Sequence, residues 1–304
     1  MDLYFLGTGG GVPSKERNVT SIALRMLAER GAIWLFDCGE GTQQQILRTP
    51  IKLSKVEKIF ITHLHGDHIF GLPGLMASRS FQEDESPLTI YGPEGIRSFV
   101  ETALSVSGTH LRYPYEIVEL DGEGVVVEDN HASVRVAKLE HGIASFGYRV
   151  AEHDRRGALD ADRLKEEGVP SGPLYRMLKD GEIVELDDGR VIHGNDYIGP
   201  TKPGQKVAIL GDTRPCEAAV DLGVGVDVLV HEATFMEEDR KKAHRYFHST
   251  TLDAAKKARS AEAAALILTH ISSRYQGEEA NFLKEARSIF PNTFLAKDFW
   301  SFEV

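Results

Sequence analysis

Three histidines and one aspartate lie within six consecutive residues, in the sequence HLHGDH at positions 63–68. The apolar residues 59–61 directly before them predict a short buried strand that ends at this cluster. Neutral imidazole and carboxylate are ligands that zinc and similar divalent ions accept, and this spacing can serve two adjacent ions. The pattern predicts a metal site rather than a solvated polar loop, with the ligands His63, His65, Asp67 and His68.

Further ligands are expected elsewhere, because two catalytic ions need more than four donors and must keep positions open for water and substrate. Three polar residues share one context, shortly past an apolar run of strand length: His141 after residues 134–139, Asp212 after residues 207–210 and His270 after residues 266–268. Ligands in α/β sheets gather beyond the carboxyl ends of the strands, so the repeated context favours all three. Each taken alone is also compatible with a turn residue or a helix cap.

The composition indicates a globular protein of mixed α and β structure. The chain has 304 residues, 41% of them hydrophobic, and short apolar runs recur between glycine-rich turns. No basic patch precedes the apolar residues at the N-terminus, no stretch approaches the roughly 18 apolar residues of a membrane span, and only Cys38 and Cys216 are present. We therefore expect a cytoplasmic protein without membrane association.

The charge balance by itself argues against a polyanionic partner. Thirty-five Lys and Arg against 46 Asp and Glu give a net charge of −11. Bound divalent ions and local basic clusters can offset this balance. Residues 240–245 form one such cluster, and Lys15 with Arg17 forms another, although either is equally compatible with a solvated face.

Residues 151–206 differ in composition from the rest of the chain, and this difference predicts an inserted arm. They carry nine Lys or Arg, twelve Asp or Glu and several Gly and Pro residues, but few long apolar runs. A loop of this length within a compact domain is usually functional or has a small structure of its own, and the alternative is a disordered linker. An apolar contact surface at its tip is expected from Leu174, Tyr175, Met177 and Leu178.

His248 precedes a segment with the sequence signals of a helix N-terminus. Thr250 is a candidate N-cap, Asp253 follows three residues later, and the helix is expected over residues 251–262. The first-turn amides and the helix dipole favour an anion near this end. The alternative is a histidine in the capping loop with no chemical role.

These motifs resemble the metallo-β-lactamase superfamily over nearly the whole chain. The HLHGDH cluster, His141, Asp212 and His270 are similar to its five metal-binding motifs in order. Other segments resemble one family within it, the tRNA 3′-processing endoribonucleases known as tRNase Z or RNase Z: FLGTGGGVPSKERN at 5–18 with a PxKxRN loop, DCGEGTQQQ at 37–45, HEAT at 231–234 and HST at 248–250. The Gly- and Pro-rich arm resembles the one with which these enzymes hold the tRNA elbow.

The resemblance implies an αββα four-layer sandwich, a single domain over residues 1–304 with the arm inserted at 151–206. It implies a homodimer in which the arm of one subunit grips the substrate of the other. It also implies two zinc ions per subunit, although the sequence leaves open which metal works in the cell. His63, His65 and His141 would hold one ion, Asp67, His68 and His270 the second, and Asp212 would bridge them.

The implied activity is removal of the 3′ trailer of precursor tRNA after the discriminator base, leaving a 3′-hydroxyl on the tRNA and a 5′-phosphate on the trailer. No DNA substrate is expected. Asp67 would act as general base, and His248, hydrogen-bonded to Glu232, would protonate the leaving oxygen or steady the phosphate. Asp37 is expected to tie down the glycine-rich turn. Substrate contacts would come from Lys15, Arg17, Asn18, Gly172 and Pro173.

Two alternative functions fit part of this pattern. The ligands alone also suit a binuclear zinc hydrolase of small molecules, such as a phosphodiesterase, lactonase or thioesterase, but such an enzyme has no need of the arm. A non-catalytic RNA-binding protein with structural zinc is disfavoured, because a purely structural site usually fills four positions and stops.

Overall fold

Two seven-stranded sheets form the centre of the computed structural model, which describes residues 1–28, 30–82 and 85–304. The chain folds into two compact units, one comprising Met1–Ala151 with Gln205–Val304 and the other comprising Glu152–Gly204. Both large sheets belong to the first unit.

The first sheet mixes antiparallel and parallel pairs. Its strands in spatial order are β18 (Ser301–Glu303), β1 (Asp2–Gly7), β3 (Ser21–Met26), β4 (Ala32–Phe36), β5 (Val56–Phe60), β6 (Leu88–Pro93) and β7 (Tyr115–Leu120). The pairs from β4 to β7 are parallel. Their carboxyl ends therefore meet at one edge of the sheet, where His63 and its neighbours follow β5.

The second sheet has a parallel half and an antiparallel half. Its strands in spatial order are β17 (Thr293–Leu295), β15 (Ala265–Thr269), β14 (Val228–Glu232), β13 (Lys206–Leu210), β10 (Ser145–Glu152), β9 (Ala132–Leu139) and β8 (Gly124–Glu128). Strands β13, β14, β15 and β17 run parallel. A short parallel pair, β2 (Gly9–Gly10) with β16 (Ile271–Ser272), lies apart from both large sheets.

Alternation along the strands divides the core into three layers. In β1, Leu3 and Phe5 face the second sheet, whereas Leu6 faces the helices outside the first sheet. The helices on that side are α1 (Thr42–Leu47), α2 (Gly66–Ile69), α3 (Leu72–Arg79) and α4 (Ile96–Ser107). Those outside the second sheet are α7 (Glu217–Gly223), α8 (Arg240–Arg245), α9 (Thr251–Ser260) and α10 (Glu279–Arg287). The four-layer αββα sandwich expected from the sequence is confirmed.

Two hydrogen bonds tie the sheets together just before the histidine cluster. The Tyr148 hydroxyl in β10 donates to the Ile61 carbonyl at 2.6 Å, and the Phe146 amide donates to the Thr62 carbonyl at 2.9 Å. Tyr148 and Phe146 are both almost fully buried. The segment that leads into the cluster is therefore fixed from both sheets.

The second unit has a small core of its own. It contains α5 (Ala161–Glu166), α6 (Pro173–Lys179) and the antiparallel pair β11 (Ile183–Glu185) and β12 (Val191–His193). Its core residues are Leu164, Val169, Leu178, Val184, Leu186, Ile192 and Tyr197. Leu178 is fully buried in this core, so the expectation that it adds to an exposed apolar surface is wrong. Met177, from the same expected surface, is exposed.

The helix after His248 begins as expected. Thr250 is the N-cap of α9, and its hydroxyl and the Asp253 side chain form a reciprocal capping box. The helix ends at Ser260, two residues before the expected end. No helix in residues 1–28, 30–82 and 85–304 is long and apolar enough to cross a membrane.

Candidate metal centre

All seven ligands expected from the sequence converge where strands of both sheets end. His63 and His65 follow β5, and α2 carries Asp67 and His68. The other three follow strands of the second sheet: His141 after β9, Asp212 after β13 and His270 after β15. The shared context seen in the sequence thus corresponds to one place in the fold.

One group of donors is formed by His63, His65 and His141. His65 Nδ1 lies 3.1 Å from His63 Nε2 and 3.2 Å from His141 Nε2. His63 is fully buried and His65 is exposed, so the group opens toward solvent on the His65 side.

A second group is formed by Asp67, His68 and His270. His270 Nε2 lies 3.3 Å from both His68 Nε2 and Asp67 Oδ2. His270 adopts a left-handed backbone with φ 58°, a conformation that a non-glycine residue holds only when its surroundings fix it.

Asp212 lies between the two groups. Its Oδ2 is 3.6 Å from His63 Nε2 in the first group. The same oxygen is 3.6 Å from His68 Nε2 and 3.2 Å from His270 Nε2 in the second. One carboxylate oxygen therefore faces both groups, as a bridging ligand requires.

The donor set fits divalent metal ions, because the rear nitrogens of four rings are already engaged. His63 Nδ1 meets the Thr62 hydroxyl at 3.0 Å, and His141 Nδ1 meets the Phe247 carbonyl at 3.0 Å. His68 Nδ1 meets Asp37 Oδ2 at 2.7 Å, and His270 Nδ1 meets the Thr234 hydroxyl at 2.8 Å. Such partners fix the tautomer and leave Nε2 of each ring for a cation.

Asp37 has a different position from the one expected. Its carboxylate accepts hydrogen bonds from the Thr62 amide at 2.7 Å and the Thr62 hydroxyl at 2.8 Å, besides its contact with His68. The expectation that Asp37 ties down the glycine-rich turn is wrong, since its side chain orients a candidate ligand. In the sequence, Asp37 directly follows an apolar run of strand length, which is the context shared by the candidate ligands. The parallel pairing of β4 and β5 brings the residues after these two strands together.

The electrostatics of the buried donors mostly favour their metal-binding forms. Burial is the main cause that lowers the pKa of His63 well below its usual value, and the nearby His68 and His141 lower it further. Burial opposes ionisation of Asp212, but His270, His68 and His63 together hold its pKa well below the usual range. His68 differs, because the carboxylates of Asp37 and Asp212 outweigh burial and raise its pKa.

His248 stands beside the centre and is bound to Glu232. His248 Nδ1 lies 2.8 Å from Glu232 Oε1 and 3.9 Å from Asp212 Oδ2. The His248 ring is stacked on that of His270, with centroids 5.6 Å apart. Burial would lower the pKa of His248, but Glu232 raises it to about 9. The expected hydrogen bond between His248 and Glu232 is present.

Glu232 and Thr234 of the HEAT motif form a buried network, in which the sequence predicts a role for Glu232 but none for Thr234. Glu232 Oε2 accepts from the Thr234 amide at 2.9 Å and hydroxyl at 2.7 Å, and Oε1 accepts from the amides of Thr213 and Ser249 at 3.1 Å. Thr234 Oγ1 also lies 3.2 Å from His248 Nδ1. One network thus holds both His248 and His270.

The structure separates the expected substrate-binding residues of the PxKxRN loop. Lys15 is exposed, and its side chain makes no hydrogen bond or ion pair within residues 1–28, 30–82 and 85–304. Arg17 is 8% exposed, and its guanidinium is directed into the protein. The Asn18 side chain donates to the Glu40 carbonyl at 2.8 Å. Among these three residues, only Lys15 presents a free charge to a substrate.

The other expected contacts lie on the surface. Gly172 and Pro173 are exposed at the start of α6 in the second unit.

In the basic cluster of α8, Arg240 pairs with Glu237 and Asp253, and Lys242 pairs with Asp239. Part of the positive charge of this helix is therefore neutralised within the protein.

Known proteins resemble this chain over its full length. Ribonuclease Z of Geobacillus kaustophilus (strain HTA426) is 61% identical over 305 residues, covering 100% of this chain and 99% of that protein. The crystal structure of human tRNase Z, short form, is 31% identical with a TM-score of 0.73, covering 100% and 99%. The metallo-β-lactamase fold protein YhfI from Bacillus subtilis, 15% identical, shares the fold with a TM-score of 0.69 over 100% and 99%. A family model described as anti-Pycsar protein Apyc1 matches residues 1–113.

Proposed function

The chain belongs to the ribonuclease Z family, and from that premise we propose that it removes the 3′ trailer of precursor tRNA by a cut after the discriminator base. The observation that carries the proposal is the pair of donor groups that share Asp212 Oδ2, with His248 beside them. The alternative of a small-molecule hydrolase is not favoured, because a relative 61% identical over the whole chain is a ribonuclease Z.

Two zinc ions per subunit are proposed for this centre. His63, His65 and His141 would hold one, Asp67, His68 and His270 the other, and Asp212 both. When bound, two such ions activate water near neutral pH and stabilise the charge that develops on the phosphate. The engaged rear nitrogens of His63, His68, His141 and His270 support this assignment.

The side chains of the protein divide the proton transfers. Water attacks the phosphorus, and Asp67 orients this water and accepts its proton. The Gly11 amide donates a hydrogen bond to Asp67 Oδ2 at 2.7 Å and so fixes the carboxylate. The bond from phosphorus to the 3′ oxygen breaks, and His248 protonates that oxygen. Because Glu232 occupies His248 Nδ1, Nε2 is the nitrogen left to donate. The products are a 3′-hydroxyl on the tRNA and a 5′-phosphate on the trailer.

The second unit is proposed as the tRNA-binding arm of a homodimer located in the cytoplasm. The arm of one subunit would hold the tRNA that the other subunit cleaves, with Gly172 and Pro173 contacting its backbone by shape rather than by base sequence. The exposed cations Arg176 and Lys179 on α6 support a contact with phosphates. Lys15 would meet the RNA near the cut.

An arm deletion tests this function against the small-molecule alternative. Arg155 and Lys202 exchange two backbone hydrogen bonds, at 2.9 and 2.8 Å, so residues 156–201 can be replaced by a short Asn-Gly turn. We expect the deletion to lower cleavage of precursor tRNA about 100-fold or more, because the substrate is no longer positioned. Hydrolysis of bis(p-nitrophenyl) phosphate and the zinc content should be retained. Full cleavage of precursor tRNA without residues 156–201 would contradict the role of the arm.

A further inference from the structure

The Arg17 guanidinium is directed into the protein and contacts buried groups there. Its Nη1 donates to Thr8 Oγ1 and to the Ala296 carbonyl, both at 2.7 Å, and its Nη2 lies 3.6 Å from Glu279 Oε1 on α10. Thr8 is fully buried, and the Arg17 side chain is 9% exposed. With Nη1 engaged twice, a carboxylate beside Nη2 and the side chain 9% exposed, the guanidinium is held inside the protein and is not presented to a phosphate.

A buried carboxylate holds the same end of the loop. Asp298 Oδ1 accepts from the Thr8 hydroxyl at 2.7 Å, while Oδ2 accepts from the Asn18 amide at 2.7 Å and from Gln45 Nε2 at 2.9 Å. The Thr8 hydroxyl therefore accepts a hydrogen bond from Arg17 and donates one to Asp298. The base of the loop is fixed by a continuous network.

The rest of the loop depends on that base. The Ser14 amide donates to the Arg17 carbonyl at 2.8 Å, and the Arg17 amide donates to Ser14 Oγ at 3.0 Å, so Ser14 and Arg17 close a tight turn that presents Lys15. On the other side of this turn, Gly11 reaches Asp67. Fixing Arg17 therefore fixes the position of Lys15 relative to the metal centre.

An open recess of about 680 Å³ lies beside this turn, lined by Pro13, Ser14, Lys15, Ser273 and Gln276. Both walls of the recess are close in sequence to residues of the metal centre. The first wall, residues 13–15, begins two residues after Gly11, whose amide contacts Asp67. The second wall begins at Ser273, three residues after His270, and the pairing of β16 with β2 brings the two walls together. Ser273, Gln276 and Lys15 are exposed, so the recess offers polar groups and one cation.

We propose that this recess binds an unpaired nucleotide next to the scissile phosphate, and that Arg17 is a positioning residue that acts through Lys15 without touching RNA. Lys15 contacts the phosphate of this nucleotide, and Ser273 and Gln276 contact its sugar or base from the opposite wall. The inference rests on the proposed function, since the ligand is part of the precursor tRNA.

A double-mutant cycle separates positioning from direct contact. Lys15→Ala and Arg17→Ala should each raise KM for precursor tRNA about tenfold, the loss of one charge-assisted contact, while kcat changes little. Because both variants remove the same contact, the double variant should be no worse than the single Arg17→Ala variant. Additive effects would overturn the proposal.

Salt dependence and a conservative variant provide independent readouts. Each lost phosphate contact lowers the slope of log affinity against log salt by about 0.7 for single-stranded RNA. The double variant should lose about one such step, whereas two steps would mean that Arg17 contacts a phosphate itself. Arg17→Lys should behave like Arg17→Ala, because an ammonium cannot serve Thr8, Ala296 and Glu279 together. Restored affinity in Arg17→Lys would overturn the positioning role.

The recess itself is tested with a neutral wall residue. Gln276→Ala should raise KM for precursor tRNA with an unchanged salt slope, whereas the control Lys284→Ala, an exposed cation on α10, should match wild type. If Gln276→Ala has the wild-type KM, the recess is not the subsite. Zinc content and thermal unfolding establish folding, and if Arg17→Ala does not fold, Glu279→Gln takes its place in the cycle. Absence of cleavage by the wild type would overturn the proposed function instead.

Discussion

Glu232 Oε1 accepts a 2.8 Å hydrogen bond from His248 Nδ1, and the same oxygen accepts from the Ser249 amide. The carboxylate thus holds both the imidazole and the backbone beside it. His248 forms a further possible donor group with Asp212 and His270, but it belongs neither to the group of His63, His65 and His141 nor to that of Asp67, His68 and His270. Because Glu232 already holds His248 Nδ1, the role that we propose for His248 is proton transfer to the substrate and not metal binding.

His248→Ala should lower kcat for precursor tRNA by about 10²- to 10⁴-fold, the range that a general acid contributes. The zinc content should remain at the wild-type level, because the two three-donor groups are intact. His244→Ala, which removes an exposed histidine of α8, is the matched control. Loss of zinc in His248→Ala would show that His248 is a ligand.

Asp37→Asn should weaken zinc binding by about 10- to 100-fold, because His68 loses the carboxylate that orients its ring. Chelator competition measures this change. Asp121→Asn is the control, since Asp121 directly follows β7 just as Asp37 directly follows β4, but is exposed. Equal zinc affinity of both variants and the wild type would contradict a role of Asp37 at the centre.

Zinc stoichiometry distinguishes the bridging carboxylate from a ligand of one group. The wild type should bind two ions per subunit, and His141→Ala should lose or weaken one, because His141 belongs to the first group alone. Asp212→Ala should weaken both, since Asp212 Oδ2 faces His63 in one group and His270 in the other. Loss of a single ion in Asp212→Ala would refute the bridge.

Both cysteine thiols should be inert in the folded protein. Cys38 is fully buried, and burial raises the pKa of its thiol to about 12, so almost no thiolate exists near neutral pH. Cys216 is also buried. Titration with Ellman's reagent should give no fast reaction in buffer and two thiols per chain in denaturant. A rapid stoichiometric reaction of the native protein would contradict this burial.

The candidate metal ligands could be predicted from the sequence, because they lie just past apolar runs of strand length and carry imidazole or carboxylate side chains. That rule predicts His141, Asp212 and His270, and the structure places all three within one centre. The two-sheet fold followed from the motifs that these residues form.

The remaining parts of the site depend on tertiary contacts that leave little trace in the sequence. The Gly11 amide that meets Asp67 has no side chain to reveal it, and a threonine such as Thr234 is common in any loop. Arg17 shows the opposite problem: its charge indicates a phosphate contact, but only the fold reveals that Thr8 and Ala296 already occupy it.

The end groups of the cleavage products test the central claim most directly. A precursor tRNA without CCA, labelled at its 5′ end, is incubated with the zinc-loaded protein, and the labelled product is sized and treated with periodate. We predict a single cut after the discriminator base and a product that periodate oxidises, because water attack leaves a free 3′-hydroxyl beside the 2′-hydroxyl. A product that resists periodate until its cyclic phosphate is removed would contradict the proposed chemistry.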